Sequence, residues 1–496
     1  MKRPLLPGQE ILRSVQNSDR FKALLCFLIL LFGFYVFYVI LLLLFGPTGV
    51  RHPKQLSLFG AIHIESNKPK TSHVWLFLGA PSDLRDVSFG CYSTNRNGDV
   101  WKSVVGIEKL QEAPPQCLWT IYRVRCDVAS DMTEFAISDG SVDAQFHGIK
   151  IPYRIPDRQR RHVVVCQSRF FLHDKWQILF TILELYRFYG ADLIAVYVES
   201  IIAEAYNILK KHQEKGMLAI HPAVQYDQFE GLGYDPNKET EYNQQISAYL
   251  LCLYEYREST DFIIFGDWNE VLVPKNATNL YDELSILLND FPDAAAFYFH
   301  RIRVSSYIPK QAAFFNMANM LNSTKATHKS AVVKVVVVGD RAESITIHQI
   351  QRPKPRTRAV QLTTEYSVFY HFREDGEQTC HSEADDFFPL LNTTELAENF
   401  TAFIDKEGLY SNYVSLPSEL FYTNALRACY DDVYKTFDHP EWGICPNHLA
   451  CDLPRPGYSI PCTKLSIQYK KVVLKEATVM SYPERSSLHT KWDGCV

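Results

Sequence analysis

No charged residue interrupts the apolar run at residues 23–45. At about 1.5 Å of rise per residue, a helix of that length crosses a hydrocarbon core of roughly 30 Å. The run stays bulky up to Phe45, before Gly46 and Pro47, whereas a cleaved signal peptide has a shorter apolar core that ends in small residues. The pattern predicts an uncleaved signal anchor at 23–45 behind a cytoplasmic tail at 1–22. Residues 46–72 mix Pro, Lys, His and Ser with little periodicity, the pattern of a stem.

Over 73–156 the periodicity becomes that of strands. β-branched and aromatic runs at 74–78 and 119–124 are separated by turn residues such as Asn97, Gly98 and Asp99, which predicts a small sandwich-like β-rich luminal domain. A basic hinge at 158–161 follows, and from residue 162 strand and helix patterns alternate. Val163, Val164 and Val165 form an apolar run suited to a central parallel strand. Asp174 and Gln177 have the spacing of a capping box. Trp176, Leu179, Phe180, Leu183 and Tyr186 then share one helical face, up to Gly190, a residue type that ends helices. Further strands are predicted at 193–198, 217–220 and 261–265, with helices at 201–215 and 241–258. Alternation of this kind makes the fold α/β, a mainly parallel sheet covered on both faces. Ligands of such sheets bind beyond the carboxyl ends of the strands.

Two features place this part of the chain in an oxidising lumen. The basic residues flanking the apolar run are nearly balanced, so they orient it only weakly. Four glycosylation sequons, at Asn276, Asn322, Asn392 and Asn399, all lie beyond it. Of twelve cysteines, Cys26 sits in the run and eleven remain. No CxxC pair exists, so zinc is a poor reading and disulfides the better one. An odd count leaves one thiol free or paired with another chain. Cys166 and Cys252 fall in apolar runs and are expected to be buried. The net charge of −5 argues against a nucleic-acid partner, which would require a basic patch.

Immediately after the strand at 261–265 stand Gly266, Asp267, Trp268, Asn269 and Glu270. If the strand continues, Asp267 and Asn269 point the same way and Glu270 to the opposite face. Hard divalent cations take such oxygens together with substrate phosphates, and a cation neutralises the charge of a departing diphosphate. That is the logic of the DxD motif of nucleotide-sugar transferases. A strand-end turn in which Asn269 caps the backbone is the competing reading. Trp268, inside the motif, is a candidate for stacking on the donor.

The wording of the chain resembles glycosyltransferase family 92. Val165, Cys166, Gln167, Ser168, Arg169, Phe170 and Phe171, then Trp176, Gln177 and Gly190, Ala191, Asp192, look like that family's opening block. Gly233, Tyr234, Asp235 and Pro236, Asn243 and Gln244, and the strand before Asp267 look like its middle block. Thr327, His328, Lys329, Ser330, Ile347, His348, Tyr370, His371, Phe372 and Arg373 follow its later pattern. The resemblance spans 160–375 and implies a GT-A-like, Rossmann-type domain, followed by a Cys-containing C-terminal extension at 376–496. It implies transfer of galactose or a related hexose from a nucleotide sugar, UDP-galactose first, to a glycan acceptor on a glycoprotein or glycolipid. It further implies inversion, usual dependence on Mn2+, and a single-pass type II Golgi membrane protein. On it, Asp267, Trp268 and Arg169 hold the donor, and Asp267, Asn269 and His371 ligate the metal, with His348 a second choice. The family's usual second Asp is replaced here by Asn269, which leaves open a catalytically inactive relative that binds glycans or scaffolds other transferases.

Inversion needs a carboxylate base for the acceptor hydroxyl. Glu374, Asp375, Glu383, Asp385 and Asp386 are candidates, or else solvated acidic faces. The basic loop at 352–358 is either a lid over a pyrophosphate or a solvated loop. A homodimer through the odd cysteine or the stem stays open. No nucleophile elbow is present, which disfavours a hydrolase.

Overall fold

The computed structural model describes residues 19–45, 54–65, 72–85, 87–111, 113–138, 148–373, 387–388, 390–475 and 478–496. They form two units, Met1–Lys54 and Gln55–Val496. In the first, a helix covers Asp19–Phe45, with side chains described for 22–36. Among the described residues no helix is long and apolar enough to cross a membrane, so the anchor predicted at 23–45 stands as a proposal.

The second unit is built around a mixed sheet. In chain order its strands are β4 (Arg161–Gln167), β5 (Leu193–Val198), β7 (Leu218–Pro222), β8 (Thr260–Gly266), β9 (Glu270–Val273), β10 (Ala294–Ser305), β11 (Lys325–Val338), β12 (Arg358–Gln361) and β13 (Val368–Arg373). Across the sheet they run β7-β5-β4-β8-β11-β10-β13-β9, with β12 paired to β10. The first four are parallel, as the alternating pattern predicts. β11 is antiparallel to both β8 and β10, because β10 and β11 form one long antiparallel pair rather than two crossover units.

Side-chain alternation along each strand serves two cores. Val163 and Val165 of β4 and Phe262 and Ile264 of β8 pack with helices α1 (Trp176–Phe188), α2 (Ala203–Glu214) and α4 (Leu280–Asp290). Val164, Cys166, Ile263 and Phe265 pack on the other face with α3 (Gln245–Tyr256). Burial on both faces is why these strands read as continuous apolar runs. A disulfide between Cys166 and Cys252 ties β4 to α3.

Three expectations change. Residues 54–64, expected within the stem, form the buried strand β1 (Lys54–Ile64). Leu56 and Leu58 enter one core and Ile62 and Ile64 another, because the register shifts between Leu58 and Gly60 and breaks the strand period. The β-rich part and the C-terminal extension are not separate. β1, β2 (His73–Pro81) and β3 (Trp119–Asp127) share one seven-stranded sheet with β6 (Ser200–Ile202) and the C-terminal hairpin β14 (Cys462–Lys475) and β15 (Thr478–Lys491), in the order β6-β14-β15-β1-β2-β3 and then Glu108–Lys109. A disulfide from Cys117 to Cys445 also links the two regions. The sandwich character holds, because Leu56, Val74 and Leu76 pack against Phe89, Phe135 and Ile137 of a four-stranded sheet, with Cys91–Cys126 bonded between the two.

Finally, Asp174 does not cap α1, whose N-cap is Lys175 without a side-chain bond. The Asp174 carboxylate accepts from the backbone N–H groups of Tyr422 and Thr423 at 2.7 and 3.2 Å. It caps the first turn of α5 (Phe421–Asp438) instead, where free N–H groups favour a carboxylate. Cys429–Cys451 and Cys462–Cys495 complete five disulfides, and Cys380 lies outside the described residues.

Candidate active site

The carboxyl ends of β4 and β8 lie side by side, Gln167 opposite Gly266. β8 stops at Gly266 and the chain turns at once. The Glu270 N–H donates to the Asp267 carbonyl at 2.9 Å, and the Asp267 N–H donates to Glu270 Oε2 at 3.0 Å. Strand alternation therefore does not apply across 267–269. Glu270, expected on the opposite face, converges with Asp267 on a shared partner.

That partner is Lys334 of β11, a fully buried lysine. Its Nζ lies 2.7 Å from Asp267 Oδ2 and 2.9 Å from Glu270 Oε2. Arg301 of β10 reaches Glu270 Oε1 at 3.0 Å. On the other side of Asp267, Gln245 Nε2 donates to Oδ1 at 2.7 Å and the Tyr249 hydroxyl lies 3.4 Å from it. Gln245 is in reach because the helix predicted at 241–258 breaks. A 3-10 turn at Glu241–Gln244 ends with Gln244 at φ 61, and α3 starts at Gln245. The side chain of Asp267 remains 26% exposed, against 0% for Glu270 and Lys334.

Charge pairing overrides burial here. Burial would raise the Asp267 carboxyl, but the Lys334 ammonium, by charge and by hydrogen bond, holds it well below the usual carboxylate range. Burial would likewise lower the Lys334 ammonium, yet Asp267 and Glu270 keep it above the ordinary lysine value. His348 and His371 are both lowered to about 4, chiefly by burial, and are neutral near pH 7. Each has a buried Nδ1 without a hydrogen-bond partner. His371 sits directly across from Glu270 in the β9–β13 pair.

The other predicted residues divide. Trp268 stays at the site. Its backbone N–H donates to Ser168 Oγ at 3.3 Å, His173 meets its ring edge-on at 4.4 Å, and the Lys175 ammonium lies 5.6 Å from the ring centre. Asn269 turns aside: its Nδ2 donates to the Phe372 carbonyl at 3.2 Å, while its own carbonyl accepts from the Phe372 N–H. Arg169 follows Ser168 but is buried and ion-paired with Glu199. Glu374, Asp375, Glu383, Asp385 and Asp386 lie outside the described residues. The basic loop is no lid over this site. Arg358 pairs with Asp293 at 2.7 Å, at the opposite edge of the sheet, where Arg352 and Lys354 are also paired, with Glu108 and Asp340. A cavity of about 480 Å³ lined by Arg160, Asp261 and Arg341 lies at that same far edge.

Lys334, Arg301 and Gln245 were missed from sequence. Lys334 alone had a signal, as the one charge in the apolar stretch 331–338.

An α/β sheet with an acidic turn at its carboxyl edge defines a protein of the class that handles its ligand beyond the strand ends. The chain belongs to glycosyltransferase family 92, whose domain matches residues 161–417. Two Caenorhabditis elegans proteins, each described as a glycosyltransferase family 92 protein, are similar to it. One is 26% identical over 71% of this chain and 71% of its own length, the other 22% identical over 68% and 70%. Among solved structures, S. aureus TarS in complex with UDP overlaps 43% of this chain and 61% of its own, at 8% identity and a TM-score of 0.25. That likeness is too slight to argue from.

The residues present do not fit the divalent cation that the resemblance implies. Both Asp267 oxygens are engaged, the Asn269 amide is turned to the backbone, and an ammonium already stands beside the one carboxylate that is partly exposed. Like charges about 4 Å apart repel by about 4 kcal/mol at an effective dielectric near 20, and a dication doubles that. Among the described residues no group of three or more His, Cys, Asp or Glu is arranged to hold a metal ion.

Proposed function

We propose that this chain transfers a hexose, galactose in the first instance, from a UDP-sugar to a hydroxyl of a glycan on a glycoprotein or glycolipid, with inversion. We place it in the Golgi membrane as a single-pass type II protein with the sheet in the lumen. The acceptor oxygen attacks the anomeric carbon as the bond to the diphosphate breaks, and the hydroxyl proton passes to a carboxylate. Glu374 and Asp375, next in the chain after β13, are the first candidates for that base. The carrying observation is the partly exposed Asp267 carboxylate at the end of β8, held from two sides by Lys334 and Gln245. Such fixed orientation is what positioning a donor sugar requires. Manganese, expected from the resemblance, has no step in this proposal.

Five disulfides and four sequons support the luminal placement. The ion-paired Asp267 and the diverted Asn269 also favour a second reading, an inactive relative that binds glycans. Donor hydrolysis by the full chain in detergent, across a panel of UDP-sugars and beside Asp267→Ala, separates the two. Turnover lost in the variant supports the transferase; glycan binding with no turnover of any donor favours the inactive relative.

A further inference from the structure

We infer that donor binding by this chain does not depend on a divalent cation, because Lys334 already supplies the positive charge at the acidic turn. The inference rests on the proposed function and deepens it.

Two carboxylates unaccompanied at a strand end repel a diphosphate until a metal intervenes. Here the two acids, Asp267 and Glu270, are matched by two cations, Lys334 and Arg301, at 2.7 to 3.0 Å. Among the described residues neither acid stands without a cation beside it. A dication would therefore meet Asp267 and Glu270 already paired. Lys334 is buried on every side, so its charge is a fixed part of the β11 strand rather than a mobile surface group that a metal could displace. The Lys175 ammonium lies 5.6 Å from the centre of the Trp268 ring, beside the same turn. Lys334 is thus a positioning residue: it fixes Asp267 and sets the electrostatics of the acidic turn without itself reaching solvent.

The experiment is calorimetry of UDP and UDP-galactose binding to the full chain in detergent, with excess EDTA and with Mn2+. Affinities within twofold of each other in the two conditions are expected. A tenfold or greater loss in EDTA, restored by Mn2+, would overturn the inference while leaving the transferase reading intact. No nucleotide binding in either condition would remove that reading and this inference with it. Lys334→Met, which keeps length and removes charge, supplies the converse. Freed of their cation, Asp267 and Glu270 should make UDP binding at least tenfold more Mn2+-dependent, and Mn2+ uptake should appear in electron paramagnetic resonance. A folded Lys334→Met protein, checked by its melting curve, that stays indifferent to Mn2+ would also count against the inference. Should that variant not fold, the wild-type comparison decides alone.

Discussion

Cys166 of β4 and Cys252 of α3, 86 residues apart in sequence, are bonded together, Cys166 standing opposite Phe265 and one residue before the end of the strand that leads into Ser168. Closing a loop of that length removes denatured-state freedom worth about 4 to 5 kcal/mol in the chain-entropy treatment. The double variant Cys166→Ala/Cys252→Ala should therefore lose about 3 to 4 kcal/mol of stability. Urea unfolding measures this, and a loss below 1 kcal/mol would show that the bond constrains little.

Glu270 is fully buried and bonded to both Lys334 and Arg301, whereas Asp267 is partly exposed. Removing a partner from a buried ion pair costs about 3 to 5 kcal/mol. Glu270→Gln should fall in that range and Asp267→Asn well below it, since Glu270 still pairs Lys334. Activity should rank the other way once folding is accounted for, with Asp267→Asn the more damaging per folded molecule. Thermal melts read alongside turnover test this, and equal destabilisation would contradict the geometry.

Asn269→Asp restores the family's usual acid but replaces a donor with an acceptor. The carboxylate would face the Phe372 carbonyl, 3.2 Å from the present amide nitrogen. A stability loss of about 1 to 2 kcal/mol is expected, from one broken hydrogen bond and an unsatisfied carbonyl. An unchanged melting temperature would mean that the side chain is free to turn outward.

His212 of α2 is buried against Phe403, with Glu184 and Arg187 nearby, and burial followed by the Arg187 charge lowers it from 6.5 to about 4. Its folded pKa lies below its unfolded one, so the unfolded chain binds the extra proton between these limits. The contribution is whole above pH 6.5 and is lost as pH falls towards 4, by about 3 kcal/mol in full. Melting temperatures of wild type and His212→Gln should converge on acidification through that window. Parallel curves would refute the assignment, with Glu184 common to both proteins.

Much of the frame was legible because two-sided burial writes itself into sequence. Val163 to Val165 and the strand before Asp267 could hardly be anything but central strands. The turn itself was misread for a local reason. Strand periodicity was extended past Gly266, where a backbone bond from Glu270 to Asp267 folds the chain back. Arg301 and Lys334 arrive from positions 31 and 67 residues downstream of their partners Glu270 and Asp267, and no local pattern announces such a meeting. Asp174 shows the same limit, its box spacing being real but its carboxylate spent on a helix 248 residues away.

In the seven-stranded sheet, β1 has β15 as one of its two neighbours. β1 must therefore wait for β15, which is made long after it, before that edge is covered. Until β15 is made, an apolar edge stands open to mispairing. Premature stops before β15, even those that spare every residue around the acidic turn, should therefore yield chains that misfold rather than shortened, folded proteins.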